Sequence, residues 1–255
     1  MKKSLFFAAV AVTLFGSCST DGEEQKTERT PVNFTGSVTN ITRAAGTAWD
    51  ANDAIGIYMP ATGTTNILED AANRKYTITT PADSKFTPAE AAQTIYFPVD
   101  ESVKVDFIAY YPQATPLTDH TYKVDVSTQT APAAIDLLYS NNVTAKNATT
   151  PSVALKFAHR LSRVEVNLTV GEGFTDADLQ GIEVPLSKQP TTADYKILTD
   201  ELTPTGSADR EISLPTADAG KTAAAIILPQ DGTADRVLTF KMINNPTFTY
   251  AIPAD

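Results

Sequence analysis

Two histidines, His120 and His159, and one cysteine, Cys18, are the side chains of this 255-residue sequence whose ordinary pKa values lie within about two units of neutrality. Proton transfer near pH 7 would have to pass through them. A Ser/His/Asp site needs a histidine base, and its members can be far apart in the chain, yet no pattern here proposes one. The sequence holds no G-x-S-x-G, H-E-x-x-H, C-x-x-C or phosphate-cradling glycine loop. His120 stands in Pro116-Leu-Thr-Asp-His-Thr121 and reads as a solvated turn residue, whereas His159 sits in an alternating apolar segment and reads as a buried or half-buried structural histidine. Asp50-Ala-Asn52-Asp53 begins like a calcium loop, but Ile55 stands where the turn glycine belongs and Ala61 where the bidentate Glu belongs, so it reads as a turn. Five N-x-[ST] triplets, such as Asn147-Ala-Thr149, follow from a Thr- and Asn-rich composition. No catalytic residue, metal or cofactor is expected.

Cys18 cannot form an internal disulfide, because it is the only cysteine. It follows Lys2 and Lys3, an apolar run from Leu5 to Phe15, and the small residues Gly16 and Ser17, which together read as a secretory signal over residues 1–17. The apolar run is too short to cross a bilayer core, which needs about 20 residues. Leu14-Phe-Gly-Ser-Cys18 resembles a bacterial lipobox, in which the thiol is acylated and the signal removed just before it; Phe15 and Gly16 depart from its strictest form. Cys18 is the expected lipidation site, and residues 18–30 a polar, acidic tether.

The elements behind these residues are short. Period-two alternation marks strands at Val32–Val38, Tyr76–Ile78, Thr94–Pro98, Val103–Tyr111 and Tyr122–Val126. A second series starts at Val153 and includes Leu161–Val170, Ile182–Leu186, Glu211–Leu214, Ala224–Leu228, Arg236–Ile243 and Phe248–Ile252. Val103–Tyr111 reads as half-buried, and the adjacent Tyr110 and Tyr111 must point to opposite faces. Only Pro88–Gln93 and Asp176–Leu179 look helical. The pattern predicts an all-β sandwich protein. Its length suggests two domains, and the Asn-, Thr- and Ala-rich Asn141–Pro151 is the most linker-like stretch, which gives expected domains at 31–150 and 151–255. Net charge is −10 and grows more acidic when Lys2 and Lys3 leave with the signal, so nucleic-acid binding is excluded as an expectation.

Thr42-Arg-Ala44, then Trp49 with Asp53-Ala-Ile-Gly-Ile-Tyr-Met59, then Val105-Asp-Phe-Ile-Ala-Tyr-Tyr-Pro112, and finally Phe157-Ala-His-Arg-Leu-Ser-Arg-Val164 stand in an order that resembles the fimbrillin-like lipoproteins of Bacteroidetes. The resemblance implies two tandem transthyretin-like β-sandwich domains, with the His159 motif as the opening strand of the second. That domain is expected to be incomplete at its C-terminus, since such chains usually continue beyond a segment like Phe248–Pro253, and this one stops at Asp255. It further implies a surface fimbrial subunit, lipid-anchored in the outer membrane, cut by a trypsin-like protease after an arginine near the first strands, and polymerised with other subunits by strand exchange. Arg43, followed by Ala44 in a small, polar segment, is the arginine whose cleavage would free the first strand. The alternative is a monomeric surface lipoprotein that binds glycan or another ligand through exposed stacking aromatics such as Trp49, Tyr110 or Tyr111.

Overall fold

The structure, a computed structural model, describes residues 29–39, 49–230, 235–243 and 247–253. In chain order its first eight strands are β1 (Asn33–Val38), β2 (Ala54–Tyr58), β3 (Arg74–Ile78), β4 (Lys85–Pro88), β5 (Val105–Tyr111), β6 (Thr121–Asp125), β7 (Leu138–Lys146) and β8 (Ser152–His159). All but β6 join one sheet in the order β1-β4-β3-β2-β5-β7-β8, and the sheet closes because β1 pairs with both β4 and β8. The β1–β8 pairing is parallel; every other pair in this sheet is antiparallel. Closure leaves the ring without an unpaired edge of the kind that templates association.

Nine further strands follow: β9 (Ser162–Asn167), β10 (Val184–Leu186), β11 (Thr192–Lys196), β12 (Glu201–Pro204), β13 (Ile212–Leu214), β14 (Thr216–Ala217), β15 (Thr222–Ile227), β16 (Val237–Lys241) and β17 (Thr247–Ala251). They form sheets of order β13-β10-β16-β17 and β14-β15-β9, while β11 pairs with β12 on one side and with β6, from the first half of the chain, on the other. The all-β expectation holds. Of the two segments expected to be helical, Asp176–Leu179 is a 3₁₀ turn capped by reciprocal Thr175 and Asp178 contacts, and the other narrows to a 3₁₀ turn at Ala91–Gln93. Thr94–Pro98, expected as a strand, contributes one bridge, between Tyr96 and Pro31.

Two clusters of buried residues fill the molecule. The first lies inside the closed sheet and is aromatic: Phe34, Trp49, Tyr76, Phe86, Phe97, Phe107 and Phe157. The second gathers residues of the later strands, such as Leu161, Leu186, Tyr195, Ile212 and Leu228, against Tyr58, Ile108, Tyr110 and Tyr139 from strands of the closed sheet. β5 therefore has a core on each side, with Val105, Phe107 and Ala109 in the first cluster and Ile108 and Tyr110 in the second. That corrects the half-buried reading of this strand. Tyr110 and Tyr111 do point to opposite faces: Tyr110 is buried in the second cluster, while Tyr111, half-buried, packs against the first.

The stretch expected as a linker is continuous with the first sheet. Asn141–Lys146 belongs to β7, and β8 pairs with β1 along six residues. The expected division at 150/151 thus runs between two strands of one sheet, and the His159 motif ends that sheet before the chain crosses to β9.

Candidate assembly site

β1 is a strand inserted between two others. Its alternation sends Val32, Phe34 and Gly36 inward while Asn33, Thr35 and Ser37 face out. Backbone bonds hold it along its length: Val32 N donates to Ile95 O (3.0 Å), Asn33 N to Pro151 O (2.9 Å), Gly36 N to Ser84 O (2.9 Å) and Thr39 N to Phe157 O (2.8 Å). Ahead of the strand, Arg29 pairs with Glu69 and lies over the Tyr96 ring, 5.3 Å from its centroid.

The inward side chains meet rings edge-on. Phe34, fully buried, makes T-shaped contacts with Tyr76 (5.0 Å) and Phe107 (5.3 Å), a geometry favoured by ring quadrupoles. Trp49 meets Phe86 (5.1 Å), Phe157 (5.2 Å) and Tyr111 (5.6 Å) in the same way, and its Nε1 donates to the Gly36 carbonyl at 2.8 Å. The slot around β1 is apolar, aromatic and lined with backbone partners on both sides.

Cys18, Arg43 and Ala44 lie outside the described residues. The described residues flanking the Arg43 segment, Thr39 and Trp49, both bind at this slot: Thr39 Oγ1 donates to Phe157 O at 2.7 Å, and Trp49 holds Gly36.

The remaining singled-out residues do not converge. His159 Nδ1 contacts the Asp136 carboxylate at 2.9–3.0 Å, both side chains are buried, and His159 Nε2 has no partner, which is the structural histidine that was expected. His120 is half-buried rather than solvated: its ring stands edge-on to Tyr58 at 5.3 Å and its carbonyl accepts Ile197 N. Asp50–Asp53 is a turn, with Asn52 at φ 73° and Asp53 Oδ2 accepting from Asp50 N. Among the described residues no group of three or more His, Cys, Asp or Glu is placed to hold a metal.

The aromatics proposed as stacking platforms are occupied. Trp49 and Tyr110 are buried, and Tyr111 donates its hydroxyl to Asp53 Oδ1 at 3.0 Å. Burial first, and then the Asp53 carboxylate, push the Tyr111 phenol well above its usual range. A cleft of about 630 Å³ between the halves is lined by Asp106, Tyr139, Asn141 and Asp200 among others, but its carboxylates are already engaged. Asp106 accepts from Gly63 N and Ala145 N, and Asp200 accepts two bonds of 2.7 Å from Arg160 and one of 2.6 Å from the Tyr195 hydroxyl. The Arg160–Asp200 pair also covers Tyr139, whose ring centroid is 4.8 Å from the guanidinium carbon. Sequence reasoning missed this cluster, since forty residues separate Arg160 from Asp200 and no local pattern joins them.

Comparison with known proteins adds relatives to this geometry. A family model described as fimbrillin-like matches residues 42–255. A protein of Bacteroides uniformis named as a fimbrium subunit, Fim1C, is 42% identical over 246 residues, covering 94% of this chain and 79% of its own length. The crystal structure of a Bacteroides uniformis protein described as a cell adhesion protein superposes with a TM-score of 0.75 at 37% identity, over 88% of this chain and 84% of that one. A fimbrial protein of Bacteroides ovatus shares the fold, with a TM-score of 0.54 at 18% identity over 89% of this chain and 46% of the other.

Proposed function

This chain belongs to the fimbrillin-like family, and from that premise we propose that it is a structural subunit of cell-surface fimbriae that assembles by exchanging β1 for a strand of another subunit. The family supports a structural rather than a catalytic role and a location at the cell surface. The finer steps are our reading. Cys18 is acylated and anchors the exported chain in the outer membrane, and a trypsin-like protease cuts between Arg43 and Ala44. β1 then has no covalent tie to the strands that follow it, and its departure opens the closed sheet.

The observation that carries this reading is the position of β1 between β4 and β8, with a ladder on each side and its inward residues buried. Its loss would expose two strand edges and the rings around Phe34, and an extended segment of another subunit regains both by strand addition. Burial of Val32 and Phe34 is worth about 1.5–3 kcal/mol each before ordering costs. The same slot speaks against the glycan-binding alternative, because Trp49 is committed inside it.

The test is the N-terminus of each species recovered from the cell surface. Mass spectrometry should find acylated Cys18 on the unassembled precursor and Ala44 as the first residue of chains in an SDS-resistant ladder. A ladder whose chains retain residues 31–43, or a cleaved monomer that keeps them bound and never polymerises, overturns strand exchange for this protein.

A further inference from the structure

The slot around β1 has a shape along its length as well as an edge. Where Gly36 lies, a Cβ atom would stand 2.8 Å from Phe86 Cε2 and 3.2 Å from Phe157 Cε2, closer than carbon atoms pack. Gly36 is not in the left-handed region, so the restriction is one of space and not of backbone conformation. Both rings pack edge-on against Trp49, at 5.1 and 5.2 Å, so a ring that shifts to make room disturbs that packing. The strand cannot back away without breaking the bond from Trp49 Nε1 to the Gly36 carbonyl, and a buried indole N–H without an acceptor is costly.

Two residues earlier the slot is wide. It takes the whole Phe34 ring between Tyr76 and Phe107. The stations therefore read large at 34 and none at 36, with a half-buried β-branched side chain at 38. A strand shifted by two residues would drive an aromatic ring into the position that has no space for a methyl group, and a shift by one would turn its apolar face to solvent.

We propose that this slot selects its incoming strand by size: the segment of another fimbrial subunit that replaces β1 carries glycine at the station of Gly36 and an aromatic side chain two residues before it. This rests on the exchange reading above and deepens it, since backbone pairing alone accepts any extended chain. Trp49, Phe86 and Phe157 form the gauge, and they fix the partner's register in the same act.

The test uses the lipid-free protein after cleavage at Arg43 and synthetic peptides spanning residues 30–43, with capture measured by native mass spectrometry. The native peptide should be taken up, and the Gly36→Val peptide about 10- to 100-fold more weakly, the range expected for overpacking a filled core. Protein carrying Phe86→Leu or Phe86→Ala should recover most of the loss for the Gly36→Val peptide while binding the native peptide no better. Equal uptake of native and Gly36→Val peptides overturns size selection and leaves strand exchange standing. Failure of the protein to take up even the native peptide overturns the exchange reading and this inference with it.

Discussion

Trp49 gives its one hydrogen-bond donor to the backbone of a strand thirteen residues earlier, and it is also the ring on which Phe86 and Phe157 rest. A Trp49→Phe substitution keeps an aromatic body but removes that donor and part of the packing. Unfolding in urea should show a loss of about 1–3 kcal/mol, and limited proteolysis should cut within residues 29–39 sooner than in the native chain. Unchanged stability would mean that the bond to Gly36 does not hold β1. The buried tyrosines set an alkaline limit. Burial pushes Tyr110 and Tyr139 up to about 12, against 10.0 for an ordinary tyrosine. Between those values the unfolded chain releases protons that the folded chain keeps, so stability falls as pH rises through that window and is untouched by these groups below it. Urea midpoints measured at rising alkaline pH should be level up to about pH 10 and then decline; a level profile through pH 12 contradicts the burial of these phenols.

At the scale of elements, the β1–β8 pairing sets Ser37 beside Lys156, both facing solvent, on strands about 5 Å apart. Cysteines introduced as Ser37→Cys with Lys156→Cys fall within disulfide reach. After cleavage at Arg43, the oxidised variant should remain monomeric and the reduced one should form the ladder, read by unheated gel electrophoresis; polymerisation of the oxidised form would show that β1 need not leave. The sequence made β1 and β8 legible because their inward residues alternate, and β5 because it is apolar along most of its length, whereas it concealed β7. Asn141, Asn142 and Thr144 look like linker residues, and they are exposed on a strand whose pairing with β5 is irregular. Toward β8, whose ladder with β7 covers only Leu138–His159 and Tyr139–Ala158, Asn142 bonds through its side chain instead, accepting from Lys156 N at 2.8 Å and donating to Ala154 O at 3.0 Å. An amide acting for the backbone leaves no trace in an apolar pattern. The site was legible in part for a similar reason: Phe34 and Gly36 stand in an alternating run, but the clamp from Trp49 and the space limit at Gly36 depend on residues brought together from four separate segments.

For the whole molecule, the shared walls matter more than the two clusters. β5 sends residues into both cores, and β2 and β7 do the same through Tyr58 and Tyr139. β6 leaves the first half of the chain to pair with β11 over five residues, with Lys123 bound to both Asp194 oxygens at 2.8 Å. Neither half can open without uncovering apolar surface of the other. Equilibrium unfolding of the chain should therefore be a single transition, coincident by circular dichroism and by calorimetry. Two separated transitions would mean that the halves fold independently across these walls.

The chain contains a single tryptophan, and it is 6% exposed against β1, the strand proposed to leave on assembly. Its light emission is therefore an optical gauge of slot occupancy, with no competing indole and no label to attach. Loss of β1 takes away the hydrogen-bond acceptor and the cover over the ring, so emission should move to longer wavelength as water reaches the indole. Seating of an incoming strand should move it back. Polymerisation then has a spectral record of its own, a red excursion whose lifetime is the time the slot stands open, and whose absence would mean that the slot was never vacated.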